Sequence, residues 1–562
     1  MIESFLRKES LVWVVMAVMG SVIAAPPMEF APGPERLPPP QFAPEPRAGT
    51  LPRPDVIATE ATQPLSSRTQ VFLKAVDLAG STVFTLADIE PIVRAYLNRT
   101  VSAEELQQLR LALTQLYVDR GYINSGVIIP DQEVVDGTVR MQVIEGTLTD
   151  LQVTGTRWLQ ADYVRNRLLL GAGQPLNINT LQERILLLHE DPLIERINAE
   201  LSPGLLPGEA VLKAEATESN PYRVRLGFDN RRPPSVGEYA GTLHLETLNL
   251  TSLGDNLYGE VSQGRGPSDY RFGYSVPLTP QNTRLSLRYD LGHSEVFGSP
   301  YQYLDIESQS RNASLALTHP LIKTSSQELA LGLSLESRSY RTWLLGDPFP
   351  FSPGQEDGDS LVNVARFSQD WIQRTPQQVV AARSTLSAGV GALGATVHAD
   401  LPDSQFFAWL GQFQWARRLF NDHEVLFRAS AQWANDRLLP QEQFAVGGLD
   451  TVRGYLQNQL VRDTGWTASL EYRLPLLRRD RLGDLQIAAF VDGGGAANRH
   501  VKDDTGEEDA LASVGLGLLY QWDERISAQL YWGHRLRKVS TEGNSNGLQE
   551  QGVTFSLNLN MF

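Results

Sequence analysis

The chain of 562 residues contains no cysteine, which excludes a disulfide framework and any thiolate metal site. Basic charge is in short supply. Lys and Arg number 49 against 65 Asp and Glu, and the formal net charge of −16 argues against nucleic acid as a partner. Past the N-terminus no apolar run is long enough for a membrane helix. Mean hydropathy is −0.23, an ordinary value for a water-exposed chain. One kind of membrane protein escapes that test, a barrel whose strands alternate apolar and polar residues. Enzyme signatures are missing as well. Gly358-Asp359-Ser360-Leu361 spells the GDSL of a lipase family, but the Asp-x-x-His spacing, Asp290 to His293, lies upstream of the serine, so the match is coincidental. His423 and Glu424 fall at a turn, and His244 and His534 are isolated, without partners at ligand spacing. There is no triad, phosphate loop or metal cluster, and the chain is expected to be neither an enzyme nor cofactor-dependent.

What is present begins with an export signal. Arg7 and Lys8 precede an apolar run from Leu11 to Ala25, which predicts a signal peptide over residues 1–25. Residues 26–67 then read as a Pro-rich tether in the periplasm. The stretch 26–54 cannot hold a helix, because each interior proline removes a donor and clashes with the preceding turn. Only Asp55–Thr62 could be helical.

Two similar modules follow. Residues 68–147 read strand, helix, helix, strand, strand. VFLKAV is the first strand, and Pro91 keeps the first helix short. Ser102 and Glu105 form a capping box, with Leu106, Leu109, Leu113, Leu116 and Tyr117 at helical spacing behind it and Gly121 as the stop. GYINSGVIIP and DGTVRMQVIEG complete the unit. Residues 148–219 repeat the order: strand TDLQVTG, a helix over WLQADYVRNRLLL, a second opened by Asn179 and Gln182, then INAEL and AVLKAEA.

From 220 to 562 the pattern changes to strands about every twenty residues. Trp466, Ala468, Leu470 and Tyr472 alternate with Thr467, Ser469, Glu471 and Arg473. Val553, Phe555, Leu557 and Leu559 alternate likewise with Thr554, Ser556, Asn558 and Asn560. One face suits lipid and the other a water-filled lumen, and the region has room for roughly sixteen strands, an even number as bacterial barrels require. The chain ends on the aromatic Phe562, one residue out of step with the apolar phase that reaches Met561.

Two stretches organise this region. In AAFVDGGG, residues 488–495, alternation puts Phe490 and Asp492 on the lumen face, next to Gly493 and Gly494. In FAVGGLDTVRGY, residues 444–455, Val452, Arg453, Gly454 and Tyr455 lie within a long loop, about 435–463. Folded into the lumen, the loop would bring Arg453 to Asp492, with Glu471 of the preceding strand as a second acceptor. In a wet lumen such a pair is worth only about 0–1 kcal/mol.

VRGY on a long loop and F-x-D-G-G on a following strand closely resemble the outer-membrane transporters of two-partner secretion, within the wider Omp85 group. The modules with RGY, VIIP and DGTVRMQVIEG look like the POTRA domains of that family. The resemblance implies an α+β periplasmic part of two POTRA domains and an all-β transmembrane barrel in the outer membrane. It implies a pore that secretes a large β-rich exoprotein bearing an N-terminal secretion domain, often a haemolysin or adhesin. Outer-membrane lipid, lipopolysaccharide and the barrel-assembly machinery are the other implied partners, and Phe562 is similar to the C-terminal aromatic signal of such barrels. Many relatives carry a plug helix where this chain has its Pro-rich tether. Partner capture by strand addition is expected at the edge that contains Tyr122, Val127, Ile128 and Ile129. Two alternatives remain at this stage, a barrel-insertion factor of the Omp85 group and a passive porin. Two modules rather than many weigh against the first, and the presence of the pair weighs against the second.

Overall fold

Local signals in the periplasmic part set its helices and strands. The computed structural model describes residues 37–43, 70–297, 301–479, 483–499, 509–523, 525–539 and 547–561. The expected signal peptide, Asp55–Thr62 and Phe562 lie outside the described residues. The first module contains β1 (Gln70–Leu73), β2 (Ala75–Ala79), α1 (Leu86–Val93), β3 (Arg99–Ser102), α2 (Ala103–Asp119), β4 (Gly126–Ile128) and β5 (Thr138–Ile144). VFLKAV is therefore not one strand. It divides at Lys74, where Gly137 O accepts from both Lys74 N and Ala75 N (2.8 and 3.4 Å), so β1 pairs with β3 and β2 runs parallel to β5. The capping box of α2 is made as the spacing predicts: Ser102 N donates to Glu105 Oε2 (2.7 Å) and Glu105 N to Ser102 Oγ (3.2 Å). Leu109, Leu113 and Tyr117 then face a core shared with Val101, Val139 and Met141.

The second module contains β6 (Thr147–Thr154), α3 (Ala161–Leu169), α4 (Ile178–His189), β7 (Ile194–Pro203) and β8 (Glu209–Glu218). Helix α4 is capped by Asn177, whose Oδ1 accepts from Asn179 N (2.9 Å), and not by Asn179 as the sequence suggested. In both modules the last strand is central, giving sheet orders β2-β5-β4 and β6-β8-β7. The modules are joined by backbone bonds, Ile178 N to Gly121 O (2.8 Å) and Leu176 N to Gly146 O (2.7 Å).

The barrel strands begin with β9 (Tyr222–Asp229), β10 (Ala240–Leu248), β11 (Asn256–Gly264), β12 (Ser268–Pro277) and β13 (Arg284–Glu295). Next come β14 (Ile306–Lys323), β15 (Gln327–Leu344), β16 (Asp347–Pro348), β17 (Asp359–Arg374) and β18 (Gln378–Val390). They continue with β19 (Phe407–Arg418) and β20 (Glu424–Ala434). The long loop contributes a short hairpin, β21 (Phe444–Val446) with β22 (Leu460–Arg462). The set ends with β23 (Thr464–Arg479), β24 (Gly483–Ala497), β25 (Asp509–Trp522), β26 (Ile526–Arg535) and β27 (Val553–Asn560). Sixteen antiparallel strands close into a barrel, with the two-residue β16 attached to β15. Closure leaves no free edge, which lipid would leave unsatisfied.

Alternation decides the two faces. Leu333 and Leu335 are more than half exposed on the outer surface (55% and 57%), while Arg338 on the lumen face is buried (3%). The seam between the first and last strands is short, from Ser556–Asp229 to Asn560–Arg225. The Asn230 side chain prolongs it, accepting from Phe555 N (2.7 Å) and donating to Val553 O (3.1 Å).

The second module is fastened to the barrel's periplasmic turns. Gln160 N donates to Ser252 O (3.1 Å), Glu183 accepts from Ser325, and Leu248 completes the module's core. At this joint Arg167 lies 3.4 Å over the Tyr163 ring, and the Tyr163 hydroxyl donates to Asp191 Oδ2 (2.7 Å). Burial first, and then the Asp191 carboxylate, push the Tyr163 phenol far up, so it stays a neutral donor.

Candidate functional site

The long loop folds back into the barrel. Its neck is set by Asp463, which accepts from Leu438 N and Gln443 Nε2 (both 3.0 Å) and from Arg499 N (2.8 Å). Past the neck the loop has its own apolar core. Phe444, Val446, Val452, Tyr455 and Leu460 pack on Leu410, Ala496 and Leu511 of the wall. An apolar cluster inside a lumen holds a loop in place without covalent links, because leaving would expose it to water.

Arg453 is the centre. Its Nε donates to Asp492 Oδ2 (2.7 Å) and its Nη2 to Asp492 Oδ1 (2.8 Å), a bidentate fork. Nη1 donates to Glu471, and Nη2 also to Ser469 Oγ (3.0 Å). The backbone N of Arg453 donates to Asp492 Oδ2 as well (3.0 Å), so one carboxylate fixes both the chain and the side chain. The guanidinium lies over the Phe490 ring (3.7 Å to its centre) and beside the Tyr531 ring (4.8 Å), and the two rings meet edge-on, 5.8 Å apart. Phe490 thus supplies a cation–π platform, which explains an aromatic two residues before the aspartate. Glu471 is shared. It also accepts from Arg473 Nε (2.6 Å) and the Tyr531 hydroxyl (3.2 Å).

The expectation of a wet, weak pair is corrected here. Arg453, Glu471 and Asp492 are 1%, 0% and 2% exposed, because the loop core and the two rings shut water out. Buried charges of this kind stand only when every one of them is paired, and removing a single partner costs about 3–5 kcal/mol.

The other residues singled out from the sequence fall as follows. Val452 is buried in the loop core, and the Tyr455 hydroxyl sits between the carbonyls of Ala512 and Arg537 (2.9 and 2.8 Å). Gly494 faces the loop, where a Cβ would come within 2.8 Å of Val446, whereas a Cβ on Gly493 would meet nothing closer than 3.8 Å. Gly454 has φ +90° and crosses Gly533 of β26 so closely that a Cβ would lie 2.6 Å from Gly533 O. Gly454→Ala is therefore expected to cost more than the roughly 1–2 kcal/mol of a left-handed residue. It should lower the temperature at which the folded barrel converts to the slow-migrating form on a gel, and reduce export with it.

The expected capture edge is corrected as well. Tyr122, Val127 and Ile129 turn into the core of the first module, and only Ile128 faces out (40%). The outward backbone groups of Val127 are already taken, its N by Thr114 Oγ1 (3.1 Å) and its O by Arg110 Nη1 (3.3 Å). A strand of three residues with its edge occupied by helix side chains offers little to an incoming strand.

A second ionic cluster went unseen in the sequence. Glu442, in the loop's first turn, accepts from Arg338 Nη1 (2.9 Å) and, through both oxygens, from Arg366 Nη2 (2.9 and 2.8 Å). Arg338 also donates to Gln441 O (2.7 Å), and Arg366 Nε approaches Glu336 (3.2 Å). Glu442 is buried (7%) and pairs with strands about eighty to a hundred residues upstream, so no local spacing could announce it. The tether holds a second surprise. Residues 37–43 lie against lumen-facing residues, with Phe42 among Val379, Ala416 and Leu426 under the Arg418 guanidinium (4.0 Å), and Ala43 N on Thr375 O (3.2 Å).

Comparison with known proteins gives the same architecture. The sequence model of the family described as haemolysin secretion/activation protein ShlB/FhaC/HecB matches residues 208–520, and that of the ShlB-type POTRA domain matches residues 71–146. The outer membrane transporter CdiB of Dickeya dadantii is 24% identical over 82% of this chain and 85% of its own length. The hemolysin transporter protein ShlB of Serratia marcescens is 23% identical over 70% of each chain. The solved structure of CdiB from Escherichia coli superposes with a TM-score of 0.70 at 21% identity, covering 90% of this chain and 93% of that one.

Proposed function

The chain belongs to the haemolysin secretion/activation family ShlB/FhaC/HecB, the two-partner secretion transporters of the Omp85 superfamily, and from this we propose that it exports one large, β-rich protein through its barrel. The barrel lies in the outer membrane with the POTRA domains in the periplasm. The observation that carries the reading is the loop clamped inside the barrel by Arg453 on Asp492 and Glu471. A passive porin has no need of a buried ionic latch in its lumen, nor of folded modules docked on its periplasmic turns.

The sequence shows no nucleotide site, so the work must come from the cargo. Folding of a β-rich exoprotein outside makes return costly and draws the chain outward. Capture in the periplasm uses a sheet edge, where main-chain bonds give affinity with weak demands on side chains. The ten residues of β7 pair only with β8 among the described residues, which makes that edge the better docking strand than β4.

Deleting residues 70–219 should leave a barrel that still inserts, seen as heat-dependent migration on a gel, while the exported protein disappears from the medium. Export at normal levels without these residues would refute capture by the modules. Loss of many different outer-membrane barrels on removing the whole chain, with no change in the medium, would point instead to a barrel-insertion factor.

A further inference from the structure

We propose that the exported polypeptide passes along one side of the lumen, against the inner faces of β10–β14, while the loop of residues 435–463 keeps the other side closed. The proposal rests on the export reading above and adds the path.

The loop is fixed at both ends of an arc of wall. At one end Arg453 is held by Glu471 of β23 and Asp492 of β24. At the other, Glu442 is held by Arg338 of β15 and Arg366 of β17. Between them the loop packs on Leu410 of β19, and past the β24 end Gly454 rests on Gly533 of β26. Toward the first strands, Asp450 forms an ion pair with Arg231, just past the end of β9.

Burial divides in part the same way, although Ser262, Asp290, Ser294, Ser308 and Asn312 on the inner faces of β11, β13 and β14 are buried too. Lumen-facing Ala408 and Gln412 of β19 and Ala488 of β24 are buried. Across the lumen Thr242, Glu260, Ser286 and Ser314 remain half-buried. Residues 37–43 lie on the closed side too, where Gln414 Nε2 donates to Pro38 O (3.4 Å).

The open wall suits a moving chain. Its charges are neutralised among themselves: Arg271 donates to Glu260 (2.7 Å), Glu260 lies 3.1 Å from His244 Nδ1, and Arg288 donates to Asp290 (2.9 Å). Around them stand serine and threonine hydroxyls. Such a surface can exchange hydrogen bonds with an extended backbone, as water does, and offers no apolar pocket that would arrest a passing side chain. The fitting occupant is an unfolded polypeptide of mixed composition.

The native chain has no cysteine, so any thiol introduced is the only one. Ser286→Cys and Ser314→Cys probe the open side; Ala408→Cys and Gln414→Cys probe the closed side. Each variant, full length in outer-membrane vesicles, is treated with trimethylammonium-ethyl methanethiosulfonate, and the rate of mass gain is measured. The open-side thiols should react at least about tenfold faster, since access to thiolate controls the rate. A bulky maleimide-polyethylene glycol adduct on either open-side thiol should then stop export by that variant. Equal reactivity on the two sides would overturn the proposal, as would an open-side adduct that leaves export intact. Absence of export by the unmodified wild-type chain would remove the export reading itself, whatever the pattern of reactivity.

Discussion

Arg453→Ala is expected to cut export severely, to a small but measurable rate, while a destabilised barrel still reaches the outer membrane. The guanidinium makes a two-pronged bond to Asp492, reaches Glu471 and Ser469, and is covered by Phe490 and Tyr531. Without it Asp492 is a buried carboxylate facing no cation, while Glu471 keeps Arg473. The cost should be about 3–5 kcal/mol, the range for a buried pair broken from one side. Arg453→Lys should not restore export, because an ammonium cannot make the fork, reach the second carboxylate and lie flat on the Phe490 ring at once. Glu471→Gln should be milder than Asp492→Ala, since it leaves the fork in place. Export of the partner and the gel-shift temperature of the barrel, measured in parallel, check the ranking.

Glu442→Ala should produce the second large defect, from the other end of the loop. It leaves two guanidinium groups, Arg338 and Arg366, side by side in a buried site. Arg366 retains Glu336 and Arg338 retains the Gln441 carbonyl, but the carboxylate that lay between the two cations is gone, so like-charge repulsion adds to the lost pair, and a loss of about 3–5 kcal/mol is again expected. Arg338→Ala should be milder, because Glu442 then keeps its two-oxygen contact with Arg366. If Glu442→Ala left the gel-shift temperature and export unchanged, the loop would be held by the Arg453 end alone. That outcome contradicts two separate anchors and would also remove the closed side of the lumen.

Much of this was legible in the sequence because its signals are periodic or local. Strand alternation around Trp466–Tyr472 and Val553–Leu559 marks a barrel whatever the loops do. Ser102 and Glu105 announce a helix start within four residues. The Arg453–Asp492 contact could be inferred because alternation fixes the face of Asp492 and the loop is long enough to reach it.

What failed was non-local. The dryness of the clamp depends on Phe490, Tyr531 and the loop core closing over it, which strand alternation cannot reveal. Glu442 finds its partners on strands far upstream. The β4 edge looks open as a sequence, but Thr114 and Arg110 project from α2 onto its backbone. The break at Lys74 follows from a single carbonyl, Gly137 O, taking two donors. Residues 37–43 read as a tether, and nothing in a run of prolines says which wall it will lie against.

The most direct test of the central claim, a loop latched inside the barrel through Arg453 and Asp492, is a double-mutant cycle. Arg453→Ala, Asp492→Ala and the double variant are compared with wild type for gel-shift temperature and for the rate of export. The latch predicts that the double variant is little worse than the worse single variant in both measurements, because the second substitution removes a group already stranded. Fully additive losses in both would mean that the two residues act separately, and would contradict the latch.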